Sequence, residues 1–257
     1  MARSTGYLFL LSHMRSYSSL LGHILGSHAE IDGYVEQLRP YVSRYDLSAM
    51  GPRIEEATGQ RRRGRYLFDK ILHNEGTLTD EVLHRPETRV LFLVREPAAT
   101  IPSIVRVARK YADEPANQGT RPGGAVDYYV GRLAELVATS DRLDANGRAL
   151  FVVAEDLIDD TAGALGRISA WLGLASPLEA RYQTFPLTGV LGLGDPSPNI
   201  KAGRVLRPEE REPISDERID IGPEVLAPAV EAHRRTVAIL RARHAGGPAP
   251  RAPAPGV

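Results

Sequence analysis

Four short apolar runs punctuate the chain: Tyr7–Leu11, Tyr66–Ile71, Val90–Val94 and Leu150–Ala154. Each has the length and continuous apolar character of a buried parallel strand. Between them the apolar positions recur at helical spacing. Ser18–Gly26 sets Leu20, Leu21, Ile24 and Leu25 on one face, and a second helix beginning after Pro97 carries Ile101, Ile104 and Val107. A long one, about Ala125 to Arg142, lines up Val126, Tyr129, Val130, Leu133, Leu136 and Val137. Thr161–Leu172 packs Leu165, Ile168, Trp171 and Leu172. Strand and helix alternate, which predicts an α/β fold with a doubly wound parallel β-sheet flanked by helices. Ligands in such sheets bind beyond the C-terminal ends of the strands.

Three segments break the pattern. Gln60–Arg65 is a basic turn, expected as a solvated loop. Asp113–Gly124, rich in Pro and Gly, is expected as a lid or an ordinary loop. From about Gly246 to Val257 the chain is a Pro/Ala/Gly tail, expected to be disordered. The expected organisation is one domain, 1–245, followed by that tail.

Composition narrows the chemistry. The chain has 257 residues, 42% of them hydrophobic, enough for a sizeable core. Lys+Arg and Asp+Glu both number 32, so no net charge draws the protein to nucleic acid or a membrane, and an anion site must be local. There is no Cys, which excludes disulfides, thiolate catalysis and zinc–thiolate sites. No apolar run reaches the length of a membrane span and the N-terminus lacks a signal-peptide pattern, so a cytoplasmic protein is the expectation.

The densest chemistry follows the first strand. Ser12-His13-Met14-Arg15-Ser16-Tyr17-Ser18-Ser19-Leu20-Leu21 reads as a tight loop entering a helix. Such a loop aims backbone N–H groups and the positive end of a helix dipole at one point, beside Arg15 and several hydroxyls. That suits a phosphate or sulfate group. A nucleotide triphosphatase loop would need Gly-x-x-x-x-Gly-Lys-Ser/Thr, which is not here. At the end of the third strand, Val94-Arg95-Glu96-Pro97 leads into a helix that carries Ser103. An Arg fork and a Ser hydroxyl suit a second phosphate.

Arg15-Ser16-Tyr17-Ser18-Ser19-Leu20-Leu21 resembles the 5′-phosphosulfate loop of the sulfotransferases that use 3′-phosphoadenosine 5′-phosphosulfate (PAPS). Arg95 with Ser103 resembles the 3′-phosphate pair of the same family. The resemblance runs from about Tyr7 to Val205 and implies a P-loop-NTPase-like sulfotransferase architecture. It implies PAPS as donor substrate, 3′-phosphoadenosine 5′-phosphate (PAP) as product, and no metal. On that resemblance Arg15, Ser16, Tyr17, Ser18, Ser19 and Leu20 contact the phosphosulfate. Tyr17 stands where the family has Gly, although Tyr tolerates a positive φ poorly. Gly194–Val205 looks like the late cofactor loop of bacterial members, with Lys201 and Arg204 reaching the 3′-phosphate and Gly203 allowing close backbone approach. Ala154-Glu155-Asp156-Leu157 resembles the family's Tyr-Glu-Asp-Leu segment, but with Ala154 in place of Tyr it is given no ligand role.

Sulfuryl transfer needs positioning, removal of the acceptor proton and stabilisation of the leaving oxygen. Arg15 and Lys70, at the end of the second strand, are the candidates for the last. By resemblance to bacterial and Golgi-type members, Glu36 is the leading general base, with His73 next and His28 last. The expected acceptor is a hydroxylated or amine-bearing small molecule or carbohydrate. Its pocket is expected around Tyr34–Tyr45, the Asp113–Gly124 segment, and Tyr128 with Tyr129. High Arg, Ala and Gly content suggests a GC-rich bacterial source and secondary metabolism. Two other readings stay open at this point: a P-loop kinase-like phosphotransferase, and a non-catalytic nucleotide-binding protein on the same fold. The oligomeric state, monomer or homodimer, is also open.

Overall fold

In the computed structural model, residues 5–59, 61–111, 122–143, 147–190, 195–213 and 215–244 are described. Five strands form one sheet: β1 (Gly6–Leu11), β2 (Ile31–Asp32), β3 (Tyr66–Ile71), β4 (Thr88–Val94) and β5 (Ala149–Val153). Their order is β2-β3-β1-β4-β5, and every neighbouring pair is parallel. The expected α/β architecture is therefore observed. All four strands read from the apolar runs are present within a residue or two at each end.

The apolar runs are continuous because both faces of the sheet are covered. Leu8 and Leu10 of β1 point into one core with Phe68, Leu91 and Leu93, while Phe9 and Leu11 point into the other with Leu67, Phe92 and Val94. On the Leu8 side lie α1 (Ser18–Gly26) and α7 (Thr161–Leu172), which bury Leu21, Ile24, Leu25, Leu165, Ile168 and Trp171 there. On the Phe9 side lie α2 (Arg44–Thr58), α3 (Asp80–Leu83), α4 (Pro97–Lys110), α5 (Pro122–Asp141) and α8 (Pro223–His244). A short α6 (Asp156–Asp159) precedes α7. α8 packs along α5 and fixes its end through Ser140 Oγ, 2.8 Å from His244 Nε2.

The same alternation matters at the end of β3. Asp69 points to the Phe9 face, where its carboxylate accepts from the Tyr41 hydroxyl at 2.7 Å. Lys70 points the other way, toward the start of α1. Of the Asp113–Gly124 segment, residues 112–121 lie outside the described residues and 122–124 open α5. The C-terminal tail, Gly194 and Gln60 also lie outside them. Among the described residues, no helix is long and apolar enough to cross a membrane.

Candidate active site

The loops after β1, β3 and β4 meet at the C-terminal edge of the sheet. There they form the floor of a cleft of about 810 Å³. It is lined by Arg15, Tyr17, Ser18, Ser19, Leu20, Glu36, Lys70, His73, Arg95 and Ser103, together with part of the 195–213 segment. The sequence spreads these residues over five separate stretches, and the parallel topology brings them together.

The first loop is strained in a specific way. Arg15 and Tyr17 both adopt left-handed backbone, at φ 61° and 64°. Tyr17 is thus in the conformation the family's Gly would take freely, and its surroundings hold it there. The ring is packed between two guanidinium groups, with Arg95 4.2 Å and Arg211 5.0 Å from its centroid. Arg211 also donates to the Tyr17 hydroxyl at 2.7 Å. Tyr17 caps α1 with its backbone, and no side chain caps the first turn. Among the described residues, no side chain accepts from the first N–H groups of α1, whose Ser18, Ser19 and Leu20 line the cleft. α4 differs, because Glu96 accepts from Ala98 N–H and Ala99 N–H and closes that helix end.

Arg15 Nε donates to Ser103 Oγ at 3.0 Å, and its NH1 pairs with Asp195 at 2.8 Å. Arg95 NH1 donates to the Arg15 carbonyl at 3.0 Å. The two sequence motifs, Arg15 in the first loop and Arg95 with Ser103 in the second, are in direct contact. Burial lowers the Arg95 pKa, against the opposing pull of Tyr17 and Glu155. Burial alone would raise Asp195, but the Arg15 pair and the Ser197 hydrogen bonds outweigh it and hold its carboxyl below the usual range. Asp195 thus sits ionised in a basic cleft.

At the other end of the loop, Lys70 Nζ donates to Ser19 Oγ at 3.2 Å and lies 3.7 Å from a Glu36 carboxylate oxygen. Both side chains are nearly enclosed, Lys70 at 1% and Glu36 at 8% exposure. A buried ammonium and carboxylate are tolerated because each has the other. Glu36 is brought there by the turn after β2. Gln37 N–H donates to Asp69 at 3.0 Å, which pins the backbone next to Glu36 on the tip of β3. Burial raises the Asp69 pKa to about 7, despite the hydrogen bonds from Tyr41 and Gln37.

The structure places the other expected residues variously. Ser16 does not line the cleft; its hydroxyl turns inward, donating to the His13 carbonyl at 2.7 Å and accepting from Ser12 at 2.6 Å. Lys201 is exposed and also off the cleft, with its stem over Gly189. Gly203 supplies a left-handed turn after a short 3-10 helix, and its carbonyl accepts from Tyr182 N–H at 2.9 Å. Arg204 does reach the cleft, but its guanidinium is engaged by Glu210 at 2.9 and 3.1 Å. Tyr128 and Tyr129 do not line the cleft, because their hydroxyls are turned to backbone groups beneath it. His28 is bonded to Ser176, away from the cleft. His73 lines the cleft beside Glu36.

Other residues to which the sequence reading gave no role also contribute. His13 is fully buried, and burial lowers its pKa to about 3. As a neutral ring it donates to the Met14 carbonyl and accepts from Arg95 N–H at 3.0 Å, tying the two loops together. Glu155 lies 3.9 Å from Arg95 Nε and accepts from Glu96 N–H at 3.1 Å. Arg211 was missed because no local pattern marks it, and Asp195, although inside the Gly194–Val205 loop, because nothing there marks it as the partner of Arg15. Their partners are far away in sequence.

A sequence model of the sulfotransferase family matches residues 42–177, just over half of the chain and including Lys70, Arg95 and Ser103. The chain belongs to the sulfotransferase family. Two solved sulfotransferase structures share its fold. The sulfotransferase domain from the curacin biosynthetic pathway is 18% identical, over 90% of this chain and 98% of that one, with a TM-score of 0.58. The sulfotransferase domain of the Synechococcus PCC 7002 olefin synthase is 15% identical, over 91% and 95%, with a TM-score of 0.60. No curated protein sequence matches the chain significantly.

Proposed function

We propose that this sulfotransferase moves a sulfuryl group from PAPS to a hydroxyl, or an amine, of a small-molecule or carbohydrate acceptor. The observation that carries the reading is the position of Lys70. Its ammonium touches Ser19 at the start of α1 on one side and approaches the Glu36 carboxylate on the other. The anion-binding loop and a base are thus joined across one cation. Arg15, Arg95 and Ser103 stand in the same cleft, and the bisphosphate of the donor supplies the anions such a cluster needs.

The chemistry follows from these positions. The acceptor oxygen attacks sulfur in line, an O–S bond forms, and the bond from sulfur to the 5′-phosphate oxygen breaks. Glu36 takes the acceptor proton. Lys70, with the N–H groups of the first turn of α1, meets the charge that grows on the leaving phosphate oxygen, and PAP departs. Arg15, Arg95 and Ser103 hold the phosphates, with Tyr17 keeping Arg95 in place. Ser18, Ser19 and Leu20 face the donor. No step requires a metal.

The test is calorimetric titration with PAP and, separately, with ATP and Mg²⁺. Selective binding of PAP is expected. Preference for ATP with Mg²⁺ would move the protein to the phosphotransferase reading.

A further inference from the structure

One helix reaches beneath the active site and touches two of its loops twice. Arg132, on α5, is 2% exposed. Its Nε donates to the Ser12 carbonyl at 2.8 Å and its NH2 to the Ile71 carbonyl at 2.7 Å. Its NH1 donates to Asn74 Oδ1 at 3.2 Å. Tyr128 lies one turn earlier on the same face. Its hydroxyl accepts from Met14 N–H at 2.8 Å and donates to the Leu72 carbonyl at 2.8 Å. Each side chain therefore bridges the same two segments. Residues 12–14 lead into Arg15 and the phosphosulfate loop, and residues 71–74 follow Lys70.

A buried guanidinium is costly, and Arg132 has no carboxylate within ion-pair distance among the described residues. Burial accordingly lowers its pKa. Holding two strands together would not require it, because β1 and β3 are already paired in register from Gly6–Tyr66 to Leu11–Ile71. The bridges lie where that ladder ends, at the Ser12 and Ile71 carbonyls and at Met14, Leu72 and Asn74 just past them. There the backbone must leave the sheet and still keep its spacing.

We propose that Arg132 and Tyr128 are positioning residues for sulfuryl transfer, setting the distance between the donor loop and the Lys70–Glu36 pair. The inference rests on the PAPS reading above. In-line displacement is steep in geometry, and a shift of about 1 Å costs roughly a hundredfold in rate. Neither side chain lines the cleft, so the loss should fall on kcat while donor affinity stays.

The experiment compares Tyr128→Phe, Arg132→Lys and a control, Ser140→Ala. The control removes a buried hydrogen bond on the same helix, at its far end. PAP affinity, melting temperature and steady-state turnover of PAPS, with the best acceptor from a hydroxyl panel, are measured for each. Tyr128→Phe is expected to lower kcat about tenfold and Arg132→Lys about a hundredfold, with PAP affinity within about threefold of wild type. Ser140→Ala should lower the melting temperature and leave kcat unchanged. Tyr128→Phe, which loses one oxygen, carries the test if Arg132→Lys does not fold. Wild-type kcat in Tyr128→Phe, or an equal kcat loss in Ser140→Ala, overturns the proposal. A wild-type protein that does not bind PAP overturns the functional reading instead.

Discussion

Replacing Tyr17 by Gly tests whether the loop is held by its aromatic ring or merely tolerates it. The native Tyr17 has φ 64°, a conformation that costs an L-residue about 1–2 kcal/mol and glycine almost nothing. Part of that relief is cancelled, because glycine raises the entropy of the unfolded chain by about 0.4–1 kcal/mol. The net gain therefore lies between about 0 and 1.6 kcal/mol. Against it stand the contacts of the ring. Two guanidinium groups pack on it, at 4.2 and 5.0 Å, worth about 0.5–1 kcal/mol each at a partly exposed site. The charged hydrogen bond from Arg211 is worth about 1.5–3 kcal/mol. The losses win by about 1–5 kcal/mol, with a central value of about 3, which lowers the melting temperature by roughly 6–12 °C at that value in a chain of this size. PAP affinity should fall as well, since Arg95 loses the surface it rests on. Thermal melts with and without PAP read both effects, and Tyr17→Phe should fall between the two proteins. A Tyr17→Gly protein that melts at or above wild type would show that the sandwich does not hold the loop.

Three other outcomes are expected. Glu36→Gln should lower turnover by about 10²–10⁴-fold, the range for a lost general base, with PAP affinity within about threefold by calorimetry; wild-type turnover would reject Glu36 as base. Asp69→Asn reports on pH. The raised folded-state pKa of Asp69, about 7, means that the protonated form favours folding. Its contribution is full below about pH 4 and is lost as pH rises toward about 7. The melting temperature of Asp69→Asn should therefore gain on wild type between about pH 4 and pH 7 and level off above that, and a pH-independent difference would refute this. Asp195→Asn removes an ionised carboxylate from the basic cleft. Two like charges about 4 Å apart repel by about 1 kcal/mol even in bulk water, so PAP should bind about fivefold tighter or better by calorimetry; weaker binding would contradict it.

The sheet was legible because its strands are buried on both faces and so read as unbroken apolar runs. α1 and α7 were legible, at about Ser18 to Gly26 and at Thr161 to Leu172, since each presents one apolar stripe to the core. β2 was not, because two residues, Ile31 and Asp32, make no periodic signal. α2 was hidden by Gly51 and Pro52 in its middle and by a largely polar surface. α8 buries only Ala229, Thr236, Leu240 and His244 along its length, and Pro228 interrupts its pattern. At the site, local motifs exposed the residues on or just after strand ends: Lys70, Arg95, and Arg15 in the loop that follows β1. What they did not expose were tertiary partners. Nothing near Tyr17 announces that Arg95 and Arg211 enclose it, and nothing near Lys201 announces that it turns away while Asp195 turns in. Tyr128 and Tyr129 carried a helical apolar pattern, yet their hydroxyls serve the loops from below.

The central claim is sulfuryl transfer from PAPS. It is tested most directly by incubating the protein with sulfate-labelled PAPS and a panel of hydroxylated small molecules and sugars. Label should appear on an acceptor in step with PAP release. Tight PAP binding with no label leaving PAPS for any acceptor would contradict the account and leave a nucleotide-binding protein on a sulfotransferase fold.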